Sequence, residues 1–370
     1  MAALLLDMAC SDDSLHGLPV CDPGAITGRI CAPDQRTWVN GASVSVNGYD
    51  CAGRPVDITT TSASNGSFVL DGIPEGQWVV HVELGAFSKD TPVDVTAGQT
   101  TAVPDDGLCV AQEETRIAVV TGAGDKIEDL LTALGLTFTR YLGDTSHFAS
   151  DGAQFLADLD QMKQYDLIFV DCAAGKAYDN TIGNKIDLGP DAPQIEQNLH
   201  DYVVQGGSLY ASDWALLFAV YAEPGSLDFL LNGGGTVANP LATDKLMGYA
   251  PQTVAATVED PDLSAFLGKT QVSIVFPKES GAVSLHWGLL QDIGADVSVL
   301  MSAATVQACE TAHTDCSSAG ATMAHIPLAV SVKLTPAGSR GGHVTYTSFH
   351  NVGQTGDDVA QVLKYIVLHL

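Results

Sequence analysis

Five side chains beyond residue 170 of this 370-residue sequence have the types and spacing for chemistry: Asp171, Cys172, Ser212, Asp213 and His350. A thiol, hydroxyl or carboxylate beside an imidazole is the minimum for nucleophilic catalysis, the imidazole taking up the proton as the nucleophile or a water attacks. Asp171-Cys172 follows the apolar run Asp166-Leu-Ile-Phe-Val170, Ser212-Asp213 ends Ser208-Leu-Tyr-Ala-Ser212, and His350 lies just beyond His343-Val-Thr-Tyr-Thr-Ser348. Each therefore falls at the carboxyl end of an expected strand, the edge where open α/β sheets place their sites. Two chemistries are open. One is hydrolysis by Ser212 or Asp213 with His350, or with Cys172 as a surrogate nucleophile. The other is a divalent cation or polar ligand held by Asp171, Asp213 and His350. Plainer roles compete with both: a helix cap for Asp213, local hydrogen bonding for His350, a buried structural thiol for Cys172.

A second motif, Gly122-Ala-Gly124-Asp-Lys-Ile127, joins an expected strand to an expected helix, the setting of a phosphate loop. Ile127 stands where a third glycine is needed, and Asp125 puts a carboxylate where an anion should meet the helix N-terminus. The motif is read as a plain strand-to-helix turn, and Gly233-Gly-Gly235, with no Lys-Ser/Thr after it, as a loop. No cofactor is expected, a divalent cation being the alternative.

Lys and Arg number 16 against 44 Asp and Glu, a formal net charge of −28 that disfavours nucleic acid and anionic membranes as partners. The eight cysteines form no CxxC pair and no Cys/His cluster at zinc spacing. Four of them fall in 21–109, as a disulfide framework in an oxidising compartment would. Pairs Cys31–Cys51 and Cys21–Cys109 are expected, other pairings of the four remaining open, with Cys309–Cys316 closing a polar loop and Cys172 reduced. Met1-Ala-Ala-Leu-Leu-Leu-Asp-Met-Ala-Cys10 is similar to the end of a bacterial lipoprotein signal, making Cys10 a lipidation candidate, against a leftover tail.

The elements that must position these residues divide the chain in two. From Cys21 to Cys109 apolar and polar residues alternate between turns at short spacing, as in Ala42-Ser-Val-Ser-Val-Asn47 and Trp78-Val-Val-His-Val-Glu83, with Asn65-Gly66 expected as a tight hairpin turn. After a polar stretch, Arg116-Ile-Ala-Val-Val-Thr121 opens an alternation of strands and helices. Helical faces are expected at Ile127/Leu130/Leu131/Leu134, Ile195/Leu199/Tyr202/Val203 and Val359/Val362/Leu363/Ile366/Val367. This order predicts a doubly wound, mainly parallel sheet. The expected organisation is a tail or signal remnant at 1–20, a β-sandwich at 21–110, a linker at 111–114 and an α/β domain at 115–370.

Two resemblances bear on function. Gly28-Arg-Ile-Cys-Ala-Pro33, Val39-Asn-Gly-Ala-Ser-Val-Ser-Val46 and Asn65-Gly-Ser-Phe-Val-Leu-Asp-Gly-Ile-Pro-Glu-Gly-Gln-Trp78 resemble the carboxypeptidase regulatory-like, transthyretin-type sandwich, a seven-stranded type that implies a structural or adhesive module. Gly206-Gly-Ser-Leu-Tyr-Ala-Ser-Asp-Trp214 and Gly341-Gly-His-Val-Thr-Tyr-Thr-Ser-Phe-His-Asn351 resemble the nucleophile turn and the histidine strand of the class I glutamine amidotransferase-like superfamily, in particular its trehalose-utilisation branch. That resemblance implies a flavodoxin-like fold but not the activity. The nucleophilic cysteine is replaced by Ser212-Asp213, Tyr210 and Trp214 look too bulky for a strained elbow, and Val352 stands where the histidine's acidic partner belongs. The expectation is a non-catalytic secreted, periplasmic or cell-surface bacterial protein, the alternative an extracellular hydrolase. Its expected partner is a protein, glycan or small molecule, with a membrane met only through a lipid on Cys10 and homo-oligomerisation left open.

Overall fold

A computed structural model describes residues 21–112, 115–143, 151–174, 176–177, 186–187, 191–229, 247–277, 286–309, 319–335 and 341–370. The N-terminal alternation folds into two sheets. In the three-stranded sheet, Pro23–Arg29 lies between Ser67–Pro74, antiparallel to it, and Thr100–Ala102, parallel to it. The four-stranded sheet runs Pro55–Thr61, Ser43–Tyr49, Gly76–Leu84, Phe87–Val95. One face of each strand is apolar, so Ile26, Leu70, Val44, Val80 and Val82 all enter a single buried cluster.

Asn65-Gly66 does turn the chain, with Gly66 at φ +79°, but it is not a hairpin, because the strands on either side belong to different sheets. The turn instead docks on Ile30. The Ile30 N–H donates to the Gly66 carbonyl at 2.8 Å, and a β-carbon on residue 66 would lie 2.6 Å from the Ile30 carbonyl oxygen.

In the second part, the continuous apolar runs become the fully buried strands Ile117–Val120, Leu167–Val170 and Ser208–Ser212, each covered on both faces. With Thr139–Tyr141 and His343–Thr347 they form five parallel neighbours, the first strand of the unit lying between the second and third and the fourth and fifth following in order. Helices Ile127–Ala133, Ala192–Val204 and Asp358–His369 bury the expected faces.

The sheet is mixed rather than mainly parallel. Ala319–Lys333, Val297–Cys309, Gln252–Val258 and Gln271–Phe276 continue it antiparallel beyond His343–Thr347. The last two strands alternate buried and exposed residues, a one-sided pattern that antiparallel pairing tolerates and a doubly covered parallel sheet does not.

The two parts are joined by contact as well as by chain. Thr115 Oγ1 donates to the Ala86 carbonyl at 2.7 Å and Asn40 Nδ2 to the Asp262 carbonyl at 2.8 Å. The C-terminal helix end packs so tightly on Gly85, at φ +54°, that a β-carbon there would lie 2.6 Å from the Leu368 carbonyl oxygen. No helix among the described residues is long and apolar enough to cross a membrane.

The disulfides correct the expected pairing. Cys21 bonds Cys51 and Cys31 bonds Cys109, with Cα separations of 5.9 and 4.2 Å. Cys21 and Cys31 flank the seven-residue strand Pro23–Arg29, roughly 23 Å long at 3.3 Å per residue, so each reaches only the cysteine at its own end. Cys31 already pairs with Cys109 in a parallel bridge, the Val110 N–H donating to the Cys31 carbonyl at 2.8 Å. Cys309 is also disulfide-bonded. Its expected partner Cys316 lies outside the described residues, as do Cys10 and Gly233–Gly235. Two disulfides suit an oxidising compartment.

Non-reducing peptide mapping should return Cys21 linked to Cys51 and Cys31 to Cys109. These bonds close loops of 30 and 78 residues, worth about 4 kcal/mol each on a chain-entropy estimate. Replacing both Cys31 and Cys109 by serine should lower unfolding stability by about that amount in denaturant titration.

Candidate functional site

The site begins where two parallel strands end side by side. Ile117–Val120 runs into Gly122-Ala-Gly124, and its neighbour Leu167–Val170 runs into Asp171–Ala174. A β-carbon on residue 122 would stand 2.0 Å from the Cys172 carbonyl oxygen, and one on residue 124 would stand 2.8 Å from Cys172 Sγ. The Gly124 N–H donates to that same carbonyl at 3.0 Å. The glycines of this strand-to-helix turn thus let a neighbouring turn approach, and one of their amides is committed to it.

Asp125, which sequence reasoning used only to exclude a phosphate, joins three strand ends. Its Oδ2 accepts from Ser212 Oγ at 2.8 Å, and its Oδ1 from the Lys126 N–H at 2.7 Å and the Asn351 N–H at 3.3 Å. Burial pushes its carboxyl up, opposed by the nearby His350 and by these hydrogen bonds. The signal available was a carboxylate directly after a Gly-x-Gly turn. Ser212 is a strut rather than a nucleophile. Fully buried, its Oγ accepts from the Cys172 N–H at 3.0 Å while donating to Asp125.

Asp213 occupies the strand-to-helix turn itself, at φ +44°, a left-handed conformation that a non-glycine residue adopts only at a cost. The bulk of its neighbours does not prevent this, contrary to expectation. The Tyr210 hydroxyl is engaged with Thr347 Oγ1 at 2.8 Å, and Trp214 is buried in the apolar cluster beneath. Asp213 Oδ1 accepts from the Gly288 N–H at 2.7 Å, and the Asp213 carbonyl lies 3.1 Å from the Tyr346 hydroxyl.

Its other oxygen, Oδ2, faces Cys172 and His350. The Cys172 thiol donates to it at 3.6 Å, and His350 Nε2 stands 3.9 Å away. One ligand atom from each of the three lies within 4.8 Å of the other two, and all three residues are buried. The expectation that His350 lacks a carboxylate is therefore corrected: Asp213 supplies one from a neighbouring strand, while Val352 is exposed. His350 Nδ1 has no hydrogen-bond partner among the described residues. Asp171 does not join this group. Burial, reinforced by the charges of Asp125 and Glu128, pushes its carboxyl well above the ordinary range.

A cavity of about 20 Å³ opens on Asp213 and His350 between Trp214, Phe276, Trp287 and Phe349. That is room for a water or a bare ion.

Two variants test this arrangement. Ser212→Ala leaves the Cys172 N–H and the Asp125 carboxyl without their shared partner, and should cost about 1–3 kcal/mol in chemical denaturation. A carboxyl whose folded pKa is raised contributes stability below its unfolded value of 3.8, lost as pH rises through the folded value. Asp171→Asn should therefore raise the neutral-pH unfolding midpoint and flatten its decline from acid to neutral pH.

No protein-family model matches the chain, and no curated protein matches it. Among solved structures it is similar to a ThuA-like protein from Bacteroides uniformis, at 10% identity and TM-score 0.38, covering 68% of this chain and 89% of that one. A GMP synthase subunit from Thermoplasma acidophilum matches at 10% identity and TM-score 0.38, covering 69% and 92%. PurLQS from Thermotoga maritima matches at 15% identity and TM-score 0.35, covering 69% and 98%.

Proposed function

We propose that this chain is a non-catalytic extracytoplasmic binding or structural protein. In this reading residues 21–110 are a carboxypeptidase regulatory-like β-sandwich, and 115–370 a flavodoxin-like unit of amidotransferase-like descent whose nucleophile turn has lost its nucleophile. The observation that carries it is Asp213. At the left-handed position after the strand, where acyl transfer needs a thiol or hydroxyl, stands a buried carboxylate held by a backbone N–H. The hydroxyl next to it is spent inside the fold.

The strand order of the five parallel neighbours, with first and third adjacent, supports the flavodoxin-like assignment. Disulfides and strong acidity support a secreted, periplasmic or cell-surface location in a bacterium, with a protein, glycan or small molecule as partner.

The backbone strain at Asp213 favours one other reading, a hydrolase in which this carboxylate attacks and His350 activates water. Against it stands the cavity, too small for an organic substrate. Incubating the purified chain with ester, amide and glutamine substrates separates the two. Rates matching those of His350→Ala are expected, and turnover abolished by both His350→Ala and Asp213→Asn would establish the hydrolase.

A further inference from the structure

We infer that Cys172, Asp213 and His350 form a binding site for one divalent cation of the zinc type. The three donors are a sulfur, a carboxylate oxygen and an imidazole nitrogen, each a zinc ligand in its own right. Metal–ligand distances of about 2.0–2.3 Å in a tetrahedron put neighbouring donor atoms about 3.3–3.7 Å apart. The observed 3.6 Å edge from Asp213 Oδ2 to Cys172 Sγ already fits, the 3.9 Å edge to His350 Nε2 needs about 0.6 Å of closure, and the third edge lies within 4.8 Å.

Charge also fits. On metal binding the thiol loses its proton, and thiolate plus carboxylate neutralise the dication, so the buried site carries no net charge and avoids the cost of an uncompensated ion.

The donors sit on three different strand ends, and contacts outside the cluster fix their places. The Gly288 N–H holds Asp213 Oδ1 and leaves Oδ2 toward the others, and Gly122 and Gly124 seat the Cys172 turn. His350 is 6% exposed, lines the cavity and has no partner for Nδ1 among the described residues, so its ring can shift toward a metal without breaking a hydrogen bond to them at that atom. The 20 Å³ cavity leaves a fourth position for a water. The sulfur ligand selects against magnesium and calcium. Asp171, a candidate ligand on sequence grounds, is replaced in the donor set by its neighbour Cys172.

This inference deepens the binding role proposed above and is tested apart from it. The full chain, disulfides intact, is stripped with chelator and titrated with zinc and with cobalt. One equivalent of zinc per chain is expected, with a thiolate-to-metal charge-transfer band in the cobalt form and no competition from millimolar magnesium. Cys172→Ser should abolish the band, and Cys172→Ser and His350→Ala should each weaken zinc binding at least tenfold, about the loss known for disturbed metal sites. Circular dichroism and the unfolding midpoint of each apo variant establish that it is folded.

Failure of the folded wild-type chain to bind zinc, or zinc binding unchanged in folded Cys172→Ser, overturns the site. Zinc-dependent hydrolysis would uphold the site and overturn the non-catalytic reading. No zinc and no hydrolysis would do the reverse.

Discussion

The approach of Gly122 to the Cys172 carbonyl, with no space for a β-carbon between them, is the constraint on which the site rests. Parallel neighbours in a doubly wound sheet end at the same edge, so the turns after them compete for one volume above that edge. In this chain the competition is resolved by removing side chains from one turn. Glycine at 122 and 124 lets the Asp171–Ala174 turn lie across it, and the Gly124 N–H bonds to the intruding carbonyl. Cys172 Sγ then packs over Gly124 and reaches Asp213 at the end of the next strand.

The same edge gathers three buried carboxyl groups on a chain that is already strongly acidic, and each is stabilised differently. Asp125 accepts a hydroxyl and two backbone N–H groups. Asp171 is driven toward its neutral form by burial and by its acidic neighbours. Asp213 has a backbone N–H on one oxygen, and a thiol and an imidazole at the other. A carboxylate without such partners would be too costly to bury. Asp213 alone of the three has donors around it that also suit a metal.

Much of this arrangement was legible in the sequence because doubly covered parallel strands are short apolar runs, and the residues just after each run mark the sheet edge. That pattern alone puts Cys172, Asp213 and His350 at one edge. The partner of His350 was not legible, since it comes from the neighbouring strand rather than from position 352 of its own loop. Nor was the left-handed turn at Asp213, since the bulk at 210 and 214 is taken up elsewhere, the Tyr210 hydroxyl by Thr347 and Trp214 by the apolar cluster and the cavity wall. Cysteine pairing escaped for a related reason: it depends on which strand ends meet across two sheets. In the long antiparallel pair Val297–Cys309 and Ala319–Lys333 the period-two pattern is interrupted by register shifts between Val299 and Ser302.

Asp213, at positive φ with its carboxylate turned to Cys172 and His350, is the residue on which the proposed site depends. Anomalous diffraction at the zinc absorption edge, from crystals of the full chain grown with zinc, tests this most directly. A single strong peak between Cys172 Sγ, Asp213 Oδ2 and the His350 ring, with Asp213 at positive φ, is the predicted result. An Asp213 in ordinary helical or extended backbone, with its carboxylate turned away from both partners and no density between them, would contradict it.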